Sequence, residues 1–258
     1  MATAEEAGKL QPGVAAKIYG IANFFELGVW GRIGCGGLAP IKHRQQERAS
    51  ELTEELRQCF SLLKTIIATK PSRQIEVAPY SGPRFLAASD AALESPGQGT
   101  GGFLVIWHDD QVQQREAFVS VIPQIVYHLW EPGDRKIAQL ELLQVLYALF
   151  SRPCAFRGRR GIWFIDNTAA LMALIRGRSD NADLEYMSRL IHVTLFALKA
   201  WFFWEWIPSK ANWSDEISRE GLQATWHVRH GFTTNWAVFP FEIWSLPLPA
   251  FLRVVEFL

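Results

Sequence analysis

A chain of 258 residues, 49% hydrophobic and 20% charged, can bury enough apolar surface for one large or two modest folded domains, which excludes disorder as its general description. Lys and Arg number 26, as do Asp and Glu, so no whole-chain basic field marks a binder of nucleic acid or membrane, and any such site has to be local. Cys35, Cys59 and Cys154 are odd in number and form no CxxC pair, which argues against a disulfide framework and a structural zinc site and fits a reducing compartment. The start MATAEEAGKL carries acids where a signal peptide carries bases, and no apolar run approaches the roughly 18 residues that suggest a membrane span. The expectation is an intracellular protein, cytoplasmic or nuclear, neither secreted nor bound to a membrane.

Residues 11–70 read as helical. Pro12 opens a series through Val14, Ile18, Ile21, Phe25 and Val29, broken by glycines from Gly31 to Gly37. A second helix follows Ser50, with Leu52, Leu56, Phe60, Leu63 and Ile67 at helical spacing, and stops before Pro71. Pro79, Gly82 and Pro83 punctuate a boundary over 71–83. Then come three short apolar runs, RFLAASDAAL, GTGGFLVIWHDD and EAFVSVIPQIV, separated as antiparallel strands are. Pro132, Gly133 and Asp134 signal a helix over 137–150, and GIWFIDN reads as a central strand buried on both faces. Residues 168–175 and 184–200 read as helices, FFWEWIP as a strand and 214–220 as a helix with acids in its first turn. The order βββαβααβα implies a mixed α/β sheet with helices packed on it. The expected division is a helical region over 1–82, the α/β domain over 83–222 and a C-terminal extension over 223–258.

Four acids in that domain sit where a solvated charge does not belong, or at the tip of an element. Asp90 interrupts a strand of small residues, and Glu141 is the single charge between Lys136 and Arg152 in an otherwise apolar helix. A carboxylate buried there needs a partner, a proton or a metal. Asp166 ends a strand and Asp215 opens a helix. If the first and fourth strands are neighbours, Asp90 and Asp166 lie about 5 Å apart, and a crossing helix can bring Glu141 to the same point. Carboxylates without His or Cys suit Mg²⁺ or Mn²⁺. Two such ions can activate water and stabilise a leaving oxygen in phosphodiester hydrolysis. Singly, each acid also reads as a turn former or a favourable charge at a helix start; their joint placement favours the site.

SDAA with its following GGF strand, the helix AQLELLQVLYAL, the strand end FIDNTAAL and the stretch WIPSKANWSDEISR together resemble the ribonuclease H domain that follows the polymerase in retroelement reverse transcriptases. The resemblance covers about residues 84–221 and includes the N-x-x-D-x-x-S-R spacing at Asn212, Asp215, Ser218 and Arg219. It implies a ribonuclease H-like mixed five-stranded sheet with flanking helices, and four carboxylates, Asp90, Glu141, Asp166 and Asp215, holding two Mg²⁺ ions, with Mn²⁺ as a substitute. The segment from Gly8 to Ile41 is similar to the thumb and connection region of the same polyproteins. The implied activity is hydrolysis of the RNA strand of an RNA/DNA hybrid by the C-terminal part of a reverse transcriptase, with its polymerase portion as partner. Ala91 and Ala92 stand where many relatives carry a small hydroxyl residue, and no histidine loop lies between Trp206 and Asp215. A decayed nucleic-acid-binding remnant and a transposase- or integrase-like DNA nuclease are the rival readings.

Arg157, Arg159 and Arg160 form a basic cluster before the Asp166 strand, which reads either as phosphate contacts or as a solvated turn. Asn167 and Thr168 open a helix beside Asp166, where they can meet a phosphate or ribose hydroxyl or simply cap the helix. His227 and His230 lack further ligands for zinc. The aromatics from Trp201 to Trp206 can stack bases, but their alternation favours core packing. Trp107, His108, Asp109 and Asp110 imitate a polymerase palm signature, yet residues 1–83 contain no aspartate to complete it.

Overall fold

Proline and apolar spacing set the first helices. In the computed structural model, which describes residues 1–26, 35–69, 81–95, 98–109, 112–133 and 136–258, they are α1 (Ala2–Glu6), α2 (Pro12–Phe25), α3 (Ala39–Arg44) and α4 (Glu54–Thr69). Pro12 sits in the first turn of α2, where its missing N–H costs nothing. The short α3 was not anticipated. Val29, most of the glycine-rich break, Pro71 and Pro79, Asp110 and Asp134 lie outside the described residues.

Three strands then form the expected meander: β1 (Arg84–Ser95), β2 (Gln98–Asp109) and β3 (Val112–Val121), each antiparallel to the next. The third strand is shorter than its apolar run suggests. Pro123, which has no N–H for a ladder, precedes α5 (Gln124–Leu129) and turns the chain into a helix. Next come α6 (Ile137–Ser151), α7 (Pro153–Phe156), β4 (Arg160–Ile165), α8 (Thr168–Arg176), α9 (Ala182–Leu198), β5 (Trp201–Trp206) and α10 (Asp215–Glu220). The last segment adds α11 (Trp226–Arg229), β6 (Thr233–Trp236) and α12 (Leu248–Glu256).

The sheet order is β5-β4-β1-β2-β3-β6, with β1, β4 and β5 parallel and β2 running against its neighbours. The sheet therefore has six strands, not the expected five. The sixth comes from the C-terminal extension, where β6 pairs in parallel with β3 and the Ala237 N–H donates to the Val119 carbonyl.

One face of the sheet carries the large core. There α6 is buried from Gln139 to Phe150, as a helix apolar on all sides has to be, and it packs across β1 and β2. α9 and α12 pack behind it, and α4 packs on α12, so Phe60 and Leu63 of the N-terminal helices join the same apolar cluster as Trp163 and Phe251. The other face is covered by α10 over β1 and β2, with Leu104, Ala117, Val119 and Ile217 in a smaller core. Gly101 and Gly102 of β2 let both layers close. A Cβ at Gly101 would lie 2.2 Å from the Gln144 side chain, and one at Gly102 would lie 2.8 Å from Ile217 Cγ2. Burial of Ile217, about 1.5–3 kcal/mol for such a side chain, ties α10 to the strand beside Asp90. Among the described residues no helix is long and apolar enough to cross a membrane.

Candidate active site

Strand pairing delivers the first two acids. β1 and β4 pair in parallel up to Ala88↔Phe164, and the same register continued past the ladder's end sets Asp90 beside Asp166. β4 stops at Ile165 while β1 runs on, so the sheet opens there. α6, crossing β1, brings Glu141 into the opening. Oxygens of Asp90, Glu141 and Asp166 lie within 4.8 Å of one another. They line a cavity of about 420 Å³ together with Ile137, Asn167, Ser209 and Arg219.

The cluster is electrostatically uncomfortable by itself. Glu141 is 2% exposed, and its Oε2 has no hydrogen-bond donor. Burial, and then the charges of Asp90 and Asp166, push its pKa well above the usual carboxylate range. Asp90 is also raised by burial and by Asp166, against the pull of a hydrogen bond from Ser218. Three carboxylates, none of them in an ion pair among the described residues and one with an orphaned buried oxygen, fit a hard divalent ion. Mg²⁺ takes oxygens at about 2.0–2.1 Å, so ligands across one ion stand about 4 Å apart. Asp90, Glu141 and Asp166 would hold it.

The fourth acid is placed differently. Asp215 lies in the first turn of α10, half-exposed, outside the group of three and paired with Arg219 at 3.0 Å. It is near enough that its charge acts on Asp90. Arg219, itself raised first by its hydrogen bond to Asp215 and also by Asp90 and Asp166, is the cation on the cavity wall.

The N-x-x-D-x-x-S-R spacing acquires a physical meaning here. Asn212 Nδ2 donates to the Ser89 carbonyl at 3.1 Å, and Asn212 Oδ1 accepts from the N–H and hydroxyl of Ser214. The loop is thereby pinned next to Asp90. One turn after Asp215, the buried Ser218 hydroxyl donates to Asp90 Oδ2. Ser218 was legible as part of the motif, but its partner was not, since Asp90 is 128 residues away. Trp206 is a second contact that the sequence hid: its Nε1 donates to the Asp166 carbonyl at 3.2 Å from a half-exposed ring.

The expected substrate residues divide. Asn167 caps α8 through Oδ1 to the N–H groups of Ala169 and Ala170, and it also lines the cavity. Thr168 follows it as the first residue of that helix. Arg157, Arg159 and Arg160 lie before or at the start of β4, about 20 Å of extended strand from Asp166. The structure does not bring them to the acids. Arg159 forms a two-pronged pair with Asp109, 2.8 Å from Nη2 to Oδ2, over the Trp107 ring. Arg160 lies over Trp201. Glu216 is a structural cap that accepts from the N–H groups of Thr225 and Trp226 at the start of α11. His227 bonds Thr234, and His230 stacks on Trp226.

No protein-family model matches the chain, and no curated protein matches it. Solved structures do. The chain is similar to RNase H1 from the halophilic archaeon Halobacterium salinarum at 14% identity and a TM-score of 0.36, over 50% of this chain and 89% of that one. It is likewise similar to the N-terminal RNase H domain of Rv2228c from Mycobacterium tuberculosis, solved as a fusion with maltose-binding protein, at 12% identity and a TM-score of 0.36, over 57% of this chain and 97% of that one. LC9-RNase H1, a type 1 RNase H with the type 2 active-site motif, matches at 13% identity and a TM-score of 0.37, over 55% and 70%. The fold and site define a class: a mixed α/β sheet with flanking helices that gathers three carboxylates where β1 outruns β4.

Proposed function

We propose that the chain is a divalent-metal-dependent endonuclease that hydrolyses the RNA strand of RNA/DNA hybrids. The observation that carries this reading is the convergence of Asp90, Glu141 and Asp166 within 4.8 Å, with a buried oxygen of Glu141 left without a donor. When bound, the two Mg²⁺ ions, or Mn²⁺ in their place, supply charge neutralisation, a water activated at neutral pH and stabilisation of the leaving 3′ oxygen.

The chain's own groups do the rest. Ser218 fixes the Asp90 carboxylate through its hydroxyl, and Asp166 is set beside it by strand register. Glu141 rides on a rigid buried helix, so the acid constellation is preorganised. Asp215, paired with Arg219, completes the acid set from the rim as a fourth ligand. Arg219 offers the cavity a positive charge for a phosphate oxygen, and Asn167 and Thr168 at the start of α8 offer donors to the backbone and to a ribose hydroxyl. Contacts with the 2′-hydroxyl and the shape of the hybrid groove would choose the strand.

Our reading of the wider context rests on the sequence motifs. The chain is the C-terminal part of a retroelement reverse transcriptase, with residues 1–82 as thumb- and connection-like helices, 83–222 as the nuclease unit and 223–258 as its extension. It works inside the cell beside the polymerase portion.

The test is to incubate the purified chain with labelled hybrid, single-stranded RNA and duplex DNA, each with Mg²⁺, Mn²⁺ or chelator. Cutting of the RNA strand of the hybrid alone, lost with chelator, is the expected result. An uncut hybrid under both metals, or cleavage of duplex DNA instead, would overturn the reading.

A further inference from the structure

Asp90 and Asp166 sit side by side where the sheet itself does little to hold them. The paired ladder of β1 and β4 ends at Ala88↔Phe164, two residues short of either acid. Like charges set opposite each other past a ladder's end push the strand tips apart. A hard divalent ion, in turn, needs its ligands at a fixed spacing of about 4 Å. Something other than the β1–β4 ladder has to set that spacing.

The segment that follows β5 reaches both strands. β5 pairs with β4 one residue further than β1 does, to Ile165↔Trp206, and the Ile207 N–H donates to the Ile165 carbonyl at 3.2 Å. The next carbonyl, that of Asp166 itself, accepts from the Trp206 indole Nε1 at 3.2 Å. Further on, Asn212 Nδ2 donates at 3.1 Å to the carbonyl of Ser89, the residue before Asp90. Between these two anchors the chain is short and stiff: Pro208 fixes its backbone, Ser209–Ala211 form a single 3₁₀ turn, and Ser209 lines the acid cavity. Ser89 is held from a second side, since its hydroxyl accepts from Trp163 Nε1 of β4 at 2.9 Å. One strap thus spans the tips of the two acid-bearing strands.

The two ends of the strap differ. Asn212 is buried and its Oδ1 is occupied by Ser214, so that end is locked into the fold. Trp206 is 49% exposed. A ring left half in water gains only part of the burial energy that usually accounts for a tryptophan. A phenylalanine would cover the same rim. What tryptophan adds is the N–H, and that N–H is spent on Asp166.

We propose that Trp206 is a positioning residue of the acid site: its indole N–H fixes the main chain of Asp166, and with it the distance from the Asp166 carboxylate to Asp90, so that the two are set for a divalent ion. The inference rests on the metal-binding reading of the acids given above and not on which nucleic acid they cut. In this role Trp206 acts through Asp166 and touches no substrate.

Mn²⁺ uptake by the whole chain without substrate, followed by the electron paramagnetic resonance of the free ion, tests it. Trp206→Phe keeps a ring and loses the N–H. Its Mn²⁺ affinity should fall about tenfold, as for other groups that orient a ligand, while the melting temperature of the metal-free protein stays close to the parent's. Trp206→Ala, which removes the ring too, should lose no more affinity than that. Trp236→Phe, at an exposed tryptophan of β6 on the far edge of the sheet, should bind Mn²⁺ as the parent does. In hybrid cleavage the half-maximal Mg²⁺ concentration of Trp206→Phe should rise by the same factor, with KM for the hybrid unchanged at saturating Mg²⁺. Parent-like Mn²⁺ affinity in folded Trp206→Phe, beside a parent that cuts hybrid, would overturn the proposal and leave the hydrolase reading intact. A loss confined to Trp206→Ala and seen as a raised KM would overturn it too, because the ring would then be meeting substrate. If Mn²⁺ binding depends on the Trp206 N–H and the chain cuts nothing, the positioning role stands and the hydrolase reading falls alone.

Discussion

The two ends of β4 carry opposite charges and opposite solutions to the problem of holding charge in a fold. At the start of the strand, Arg159 meets Asp109 in a two-pronged pair, and the hydrogen bonds from that guanidinium hold the Asp109 carboxyl below its ordinary range. Past its end, Asp90, Glu141 and Asp166 meet one another, and burial with mutual repulsion raises Glu141 and Asp90. One cluster is satisfied by the chain itself. The other is a buried deficit that an external cation would relieve. A charged residue in a sequence is thus a structural group or a functional one according to what the fold sets against it, and residue type alone does not decide.

The sharpest way to break this contrast is Asp166→Asn, which removes a charge and keeps the shape. If the acid end is the hydrolytic site, hybrid cleavage falls at least about 10²-fold, the scale seen when one preorganised group that stabilises charge is lost. Circular dichroism and the melting temperature should stay close to the parent's. Undiminished cleavage by the folded variant would remove Asp166 from the site.

Glu141→Gln should also abolish cleavage, and it has a second, opposite readout. Because the folded pKa of Glu141 is raised, its contribution to metal-free stability is full below the ordinary value of 4.5 and is lost as pH rises through the shifted value. At neutral pH the metal-free parent therefore bears a cost that Gln lacks, whether Glu141 is held charged among its neighbours or takes up a proton on folding. The variant should be more stable by about 1 kcal/mol, and the advantage should vanish below pH about 4. Added Mg²⁺ should stabilise the parent and not the variant. A lower melting temperature for metal-free Glu141→Gln at pH 7 would mean that the carboxylate holds the helix in place.

Ser218→Ala addresses a smaller effect. The hydroxyl orients Asp90 without touching substrate, so its loss should weaken metal dependence about tenfold, as is usual for groups supporting a ligand. A titration of cleavage against Mg²⁺ would show the half-maximal concentration rising while the rate at saturation largely recovers. A fall in rate that excess Mg²⁺ leaves uncorrected would argue that Ser218 does more than position Asp90.

Much of the acid end was legible because its signals are local. A lone Glu141 in an apolar helix and an Asp166 at a strand tip announce themselves, while the neighbouring of β1 and β4, a condition in the sequence reading, is met by their parallel pairing. The basic cluster stands apart from the acids for a geometric reason: Arg157, Arg159 and Arg160 are close to Asp166 in sequence, but an extended strand carries them away at about 3.3 Å per residue. The C-terminal strand was invisible for another. TTNW is four residues with little alternation, and what makes it a strand is the β3 edge more than 100 residues earlier. The aromatic run Trp201–Trp206 was half right, because alternation sends Trp204 inward and Phe203 outward, and only the packing of α8 tells which face is covered.

The smallest expected effect comes from the satisfied end. Asp109 belongs to a stretch that imitates a polymerase palm, but its side chain is spent on Arg159. Asp109→Asn should therefore leave hybrid cleavage unchanged, and neither parent nor variant should extend a primer. Its cost is in stability. The Asp109 side chain is 40% exposed, so solvent screens the pair and the loss should be modest, about 0.5–1 kcal/mol. The sign with pH is the reverse of that for Glu141. A depressed carboxyl contributes above its ordinary value of 3.8 and loses that contribution as pH falls through the folded value. The gap in melting temperature between parent and variant should thus be present at pH 7 and close in acid. A gap that persists in strong acid would mean that Asn at 109 disturbs the hairpin itself, and template-dependent extension that disappears in the variant would make the palm-like stretch more than an imitation.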